Sequence, residues 1–489
     1  MNKKTPSIKI NFIYTLSYQI LALIVPLITT PYVSRIFSPD SIGMISYTTS
    51  YSNYFLLIGN LGIATYAQIE IARNREDRAQ TSRLFFEILI ARTTTRLLSL
   101  LLYIRFTAAA APQYRPLYWI LIANIVGSML DCSWFFQGLE QFKRVTLRNF
   151  IIKILSTIMI FVFIKKPSDL YLYVLFLYGS TIAANLYLWL GISKEVGRVD
   201  FRQLKFTRHY KGCFLYFLPT IASTLNTSMG KTLLGILGRS DAENGYFEQA
   251  YKIFNVIIVL PASLNVVMRP RMAYLVSNQK KDEVESKLYY SMSFIMFLMI
   301  AIGFGLIGTA DNLVPWFFGP GWDKVSFLLK LFSLCIVLYS ITLCFSEQYF
   351  LPYGKIKTLT KIIYAGLAVN ILINILLIKK FFSVGTTIAT IVAELVMMIL
   401  SLYLAKKDID IWAILKLSLK YVFAGAVMLA VLLLINPYTP VSPFGFLLLM
   451  GAGFVSYAAV LIILRDAFLL DAVGQMKKFV KKVFGKIYR

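Results

Sequence analysis

The residues of this chain most able to do chemistry are charged side chains set deep in apolar sequence. Arg92 and Arg96 lie one helical turn apart within roughly 84–106, and Lys153 lies within roughly 145–164. Lys231 falls in roughly 213–237, Lys252 in roughly 246–268, and Glu394, the one deep acid, in roughly 382–405. Glu87 and Asp131 sit nearer the ends of their runs. At about 1.5 Å per helical residue, Arg96 stands roughly 18 Å from the edge of its run. That is close to the middle of a hydrocarbon layer about 30 Å thick. A charge there costs about 2.5–3.5 kcal/mol even on the mildest scale, so it needs a partner or water. Fixed cations in such a place can replace the hydration of a phosphate group, Arg through paired donors and Lys as a point charge. A carboxylate at the depth of Glu394 is a candidate for proton or sodium coupling, with a salt bridge to Arg96 as its competing use.

Each cation also has a plainer use. Lys153 and Lys231 can snorkel to an interface. Arg92 and Arg96 can pair with Glu87 or with a neighbouring span. Lys252 can pair with Glu248 one turn earlier. The single histidine, His209, falls in a polar stretch and stands alone. Cys132, Cys213, Cys335 and Cys344 lie in or beside apolar runs without CxxC spacing and read as small buried hydrophobes.

The elements that must carry these residues follow from composition. Of 489 residues, 58% are apolar and only 15% charged. A soluble chain would carry about a quarter charged residues. The expectation is an all-α polytopic membrane protein. Each crossing needs about 20 mostly apolar residues. Fourteen such runs occur, at roughly 10–33, 42–67, 84–106, 115–138, 145–164, 169–192, 213–237, 246–268, 288–310, 325–347, 358–379, 382–405, 413–435 and 445–464.

The net charge of +26 is explained by topology rather than by nucleic acid. With the N-terminus inside, the inner connections and both ends hold about two-thirds of the Lys and Arg. Both termini are therefore expected in the cytoplasm. The tail from Lys477, with Lys478, Lys481 and Lys482 among apolar residues, reads as an interfacial helix on anionic membrane lipid. The connections are too short for a soluble catalytic domain, and no GxxxxGK[ST] phosphate loop occurs. No cofactor or metal is expected, and no enzyme activity.

Two turns about 202 positions apart resemble each other. Ser38-Pro39-Asp40-Ser41-Ile42-Gly43 follows the first run and Ser240-Asp241-Ala242-Glu243-Asn244-Gly245 follows the seventh. Parallel repeats of this kind are common in transporters, with the substrate between the halves. The expected organisation is an N-terminal lobe over 1–192, a basic cytoplasmic linker over 193–212 and a C-terminal lobe over 213–405. Two accessory spans over 406–466 and a basic tail over 467–489 complete it.

Three strings carry a family resemblance. Pro31-Tyr32-Val33-Ser34-Arg35-Ile36-Phe37, with Gly43 and Leu61-Gly62-Ile63, is the first. Asp131-Cys132-Ser133-Trp134-Phe135-Phe136-Gln137-Gly138-Leu139-Glu140, with Phe142-Lys143 and Arg148-Asn149, is the second and most specific. Gly245-Tyr246-Phe247-Glu248-Gln249-Ala250-Tyr251-Lys252-Ile253 is the third. Together they resemble bacterial polysaccharide export proteins, the O-antigen and capsule-repeat flippases of the multidrug/oligosaccharidyl-lipid/polysaccharide exporter superfamily. The resemblance implies two six-helix lobes around a central cavity, plus two accessory helices, in the cytoplasmic membrane. It implies alternating access for an undecaprenyl-pyrophosphate-linked oligosaccharide, with polysaccharide polymerase and assembly proteins as further partners. Arg35 and Lys252 match two of three basic positions of the lipid II flippase branch, and run 42–67 lacks the third. Lys231 follows Gly230 where some relatives place an acid. The substrate-binding candidates are thus Arg35, Arg96, Lys231 and Lys252, with Glu394 for ion coupling.

Two other classes compete. A cation-coupled multidrug exporter of the same fold would need a net acidic cavity. A membrane-embedded polysaccharide polymerase would need a sizeable outer loop with catalytic Arg or His.

Overall fold

The computed structural model describes residues 8–466 and 468–470. The basic tail over 477–489 lies outside them. All regular structure among the described residues is helical: α1 (Ile8–Ile36), α2 (Pro39–Asn60), α3 (Ile63–Asn74), α4 (Arg78–Ala109), α5 (Arg115–Leu130), α6 (Ser133–Gly138), α7 (Phe142–Phe163), α8 (Leu170–Glu195), α9 (His209–Gly238), α10 (Asp241–Ser277), α11 (Lys281–Phe318), α12 (Asp323–Phe345), α13 (Ile356–Ala405), α14 (Ile411–Ile435) and α15 (Pro443–Ile463).

Eleven helical segments among the described residues are long and apolar enough to cross a membrane, three fewer than the runs counted in the sequence. The difference has physical causes. α4 and α9, of 32 and 30 residues, are long but carry more polar residues than a uniformly apolar span. α13 has 50 residues, which as one rod would be about 75 Å, over twice the hydrocarbon thickness. Its backbone breaks at Phe382, where φ is 51° and ψ is −126°, and the break separates the runs at 358–379 and 382–405.

The chain folds as two compact units, residues 1–245 and 246–489. In the first, α2 packs on α4 and α9, α5 on α8, and α7 on α1 and α8. Its core is aromatic: Phe85, Trp134, Phe135 and Phe136 are each at most 1% exposed. The most family-specific string of the sequence is thus largely a packing device, because Trp134 to Phe136 form α6 and wedge it against α3 and α4. Between α2 and α3 the chain breaks at Leu61 and Gly62, with φ of 41° and 72°. α9 passes so close there that a Cβ on Gly62 would lie 2.7 Å from the Cys213 carbonyl oxygen.

The two similar turns of the sequence meet. A Cβ on Gly43 would stand 1.7 Å from the Asp241 carbonyl oxygen, and one on Gly245 2.0 Å from the Pro39 carbonyl oxygen. Pro39 and Asp241, and likewise Gly43 and Gly245, are 202 positions apart, so the contact is reciprocal. Ser38 caps α2 by accepting from the Ser41 amide at 3.3 Å. The Tyr114 hydroxyl donates to Asp241 Oδ1 at 2.9 Å, and Tyr54 and Thr232 share a hydrogen bond of 2.8 Å between α2 and α9. Gly43→Val must push backbone from backbone, and overpacking of this kind costs about 1–3 kcal/mol. The expected result is a lower midpoint in thermal unfolding of the micelle-embedded protein, with Gly451→Val, where nothing lies within 4 Å, as the neutral control.

In the second unit α11 and α12 pack along one another, and α14 and α15 pack on α11. The Tyr457 hydroxyl donates to the Phe297 carbonyl at 2.9 Å and fixes α15 on α11. In the turn after α13, Asp408 accepts from Tyr349 and, at 2.9 Å, from Lys355, and these hydrogen bonds hold its carboxyl below the usual carboxylate range. The four cysteines are buried and free.

Candidate functional site

The first unit gathers its charges on the inward faces of α4, α5 and α7. Arg92 is 1% exposed and Arg96 5%. The i, i+4 spacing puts both on one face of α4. Arg92 Nη2 donates to the Ser128 carbonyl at 3.0 Å and to Asp131 Oδ2 at 3.3 Å. Asp131 is held at the end of α5 because its Oδ1 also accepts from the Ser133 amide at 3.0 Å, capping the start of α6. Its Oδ1 lies 3.8 Å from Arg148 Nη1. Arg92 therefore pairs with Asp131 rather than with Glu87.

Arg96 has a thinner set of partners. Its Nη2 donates to Asn60 Oδ1 at 3.3 Å, while Nε and Nη1, like those of Arg92, are buried without a hydrogen-bond acceptor among the described residues. The Arg96 stem packs over Gly59 of α2. A guanidinium with idle donors in an apolar interior is a site for an acceptor, since leaving such donors unmet costs about 1–3 kcal/mol.

Glu87 holds a second network. The residue is fully buried. Its carboxylate accepts from Arg83 Nε at 3.0 Å, the Lys205 amide at 2.9 Å, Arg208 Nη2 at 2.7 Å and His209 Nε2 at 2.8 Å. His209 Nδ1 meets the Tyr66 hydroxyl at 2.8 Å. The sequence reading of His209 as a lone loop residue is corrected here: it begins α9, is 2% exposed, and ties that helix to α3 and α4. Nothing in its immediate sequence marks this, since Glu87 lies 122 positions away.

The remaining candidates are placed as follows. Arg35 is in the last turn of α1, exposed, with Nη1 donating to the Pro31 carbonyl at 2.8 Å. Lys231 is half-buried on α9, and Lys252 half-buried on α10. Glu394, in the second half of α13, is 3% exposed, and its Oε2 has no hydrogen-bond partner among the described residues. The residues missed as site candidates by sequence reasoning are Arg148 and Asn185, joined by an Nη1 to Oδ1 hydrogen bond of 2.5 Å. The Arg148-Asn149 pair was visible, but its partner on α8 was not.

The comparisons with known proteins agree with this architecture. The family model described as polysaccharide biosynthesis protein matches residues 8–276, and that described as lipid II flippase MurJ matches residues 246–451. A protein of Escherichia coli (strain K12) named "Putative O-antigen transporter" is 23% identical over 400 residues, which cover 81% of this chain and 95% of the relative. A Shigella dysenteriae protein of the same name is 25% identical over 393 residues, 78% of this chain and 96% of the relative. Among solved structures, lipid II flippase MurJ in an inward closed conformation superposes with a TM-score of 0.67 at 17% identity, covering 94% of this chain and 99% of that one. An inward-facing multidrug resistance MATE family transporter of the MOP superfamily gives 0.57 at 13% identity, covering 81% and 99%. At these identities the two structures show the fold. The polysaccharide biosynthesis protein model spans more than half of the chain, and the protein therefore belongs to that family.

Proposed function

We propose that the protein is a flippase that carries undecaprenyl-pyrophosphate-linked oligosaccharide repeat units across the cytoplasmic membrane by alternating access, for assembly of O-antigen, capsule or exopolysaccharide. Family membership and the names of the relatives support a transporter of lipid-linked sugars. The observation that carries the reading is the excess of buried arginines in the first unit: among its described residues Arg92, Arg96 and Arg148 are all at most 8% exposed, against one buried acid, Glu87. A cavity for cationic drugs would need the opposite sign, which favours an anionic substrate over the multidrug alternative. In this reading two six-helix lobes move about a central cavity, both termini face the cytoplasm, and Arg35, Arg96, Lys231 and Lys252 receive the pyrophosphate. Glu394, a buried carboxylate with an idle oxygen, is the candidate for ion coupling.

Deletion of the gene in its own host tests the function. The expected result is loss of surface polysaccharide with build-up of polyprenyl-pyrophosphate-linked oligosaccharide, and unchanged drug susceptibility. Intact polysaccharide together with increased drug sensitivity would put the exporter in place of the flippase.

A further inference from the structure

A polar cavity of about 370 Å³ lies inside the first unit, bounded by α1, α5, α7 and α8. α7 lines it with Arg148, Asn149, Lys153 and Ser156, α8 with Asn185, and Asp131 closes the end of α5. The α7 positions recur at one-, four- and three-residue steps, the pattern of a single helix face. With Ile152, these residues make up the part of α7 that lines the cavity.

Its charges do not balance. The one carboxylate, Asp131, is already divided between Arg92 at 3.3 Å and Arg148 at 3.8 Å. Arg148 rests on amide oxygens, with Nε 3.0 Å from Asn149 Oδ1 and Nη1 2.5 Å from Asn185 Oδ1. Lys153 has neither kind of support. Its carbonyl accepts from Ser156 and Thr157, but its ammonium has no acceptor or carboxylate in reach among the described residues. Lys153 lies about 16 Å along α7 and is half-buried. A partly desolvated cation without a carboxylate partner is best met by an anion, or else by water.

We propose that this cavity binds a phosphate-class oxyanion, with the Lys153 ammonium as its counter-charge and Asn149 and Arg148 as orienting donors. The space is about twelve times the liquid share of one water, so a monatomic ion would leave most of it empty. A tetrahedral oxyanion can accept from an ammonium, an amide and a guanidinium on separate oxygens at once. The site belongs to the first unit alone and stands whether or not the protein moves sugars. Its phosphate could come free or attached to a lipid.

The purified full-length protein in micelles is titrated with inorganic phosphate, and separately with farnesyl phosphate, in chloride-matched buffer, with heat and unfolding midpoint recorded. Saturable binding is expected, weakened about tenfold to a hundredfold in Lys153→Met, which preserves the stem, and kept within a few-fold in Lys153→Arg. Lys281→Met, at an exposed position, should bind as the parent does. Where Lys153→Met does not fold, Lys153→Gln takes its place. Tighter binding of farnesyl phosphate with the same dependence on Lys153 assigns the lipid-linked source, and equal binding assigns the free ion. Absence of saturable binding by the folded parent, or unchanged affinity in the variant, overturns the proposal and leaves a water-filled cavity.

Discussion

Lys252→Glu is expected to abolish surface polysaccharide in a strain that depends on this protein, while the variant still reaches the membrane at normal abundance. Lys252 lies about 16 Å along α10 and is half-buried. A carboxylate there would face a pyrophosphate with like charge. The graded series separates charge from geometry. Lys252→Ala removes one desolvated, charge-assisted contact, worth about 1.5–3 kcal/mol, or roughly a tenfold to hundredfold loss of binding. Lys252→Arg keeps the charge but changes its shape and retains partial transport. Surface polysaccharide scored beside immunoblotted protein decides the matter. Normal polysaccharide from Lys252→Glu at normal abundance would mean that Lys252 serves only to pair with Glu248.

Glu87→Gln destabilises the first unit by about 3 kcal/mol. Breaking one partner out of a buried ion pair costs about 3–5 kcal/mol. The lower end applies because Arg83 and Arg208, at 34% and 45% side-chain exposure, can regain water once the carboxylate is gone. His209 cannot, and a glutamine amide presents a donor where an acceptor stood. Arg208→Ala should cost under about 1 kcal/mol, as exposed pairs do. Thermal unfolding with tryptophan fluorescence checks the order, since Trp134 and Trp189 lie in the core beside α4. Equal shifts for the two variants would show that Glu87 is hydrated and that its network adds little.

Most of the helical architecture was legible in the chain, and for a simple reason. A hydrocarbon solvent demands long apolar runs with all backbone groups paired inside each helix, so length and composition alone locate them. What stayed hidden is what depends on partners. The break at Leu61–Gly62 falls inside the run at 42–67, so the apolar pattern did not show it, whereas the kink at Phe382 falls at the boundary of two runs that the sequence already separates. Arg92 and Arg96 were visible as deep charges, but α4 has neighbours on several sides. Only the folded chain selects Asp131 for Nη2 of the first and leaves Nε and Nη1 of both unmet among the described residues. His209 was passed over because a short polar segment looks the same whether it lies in water or lines the start of a buried helix. Glu394 was the opposite case: its depth in an apolar run fixed its burial, and the structure adds the idle oxygen.

The reciprocal meeting of Gly43 and Gly245 also bears on how fast α2 can part from the start of α10. The contact is backbone against backbone, with no opposed charges. Dispersion between such surfaces loses a quarter to a half of its strength over a gap of about 0.5–1 Å. An ionic latch weakens gradually with distance and relaxes as salt is added. This junction behaves instead as a snap fastener, either seated or released, with no stretched intermediate to dwell in. Two acids adjoin the contact, Asp40 and Asp241, and Asp241 accepts from the Tyr114 phenol. The rate of parting should therefore be steeply sensitive to the bulk of the side chain at either glycine.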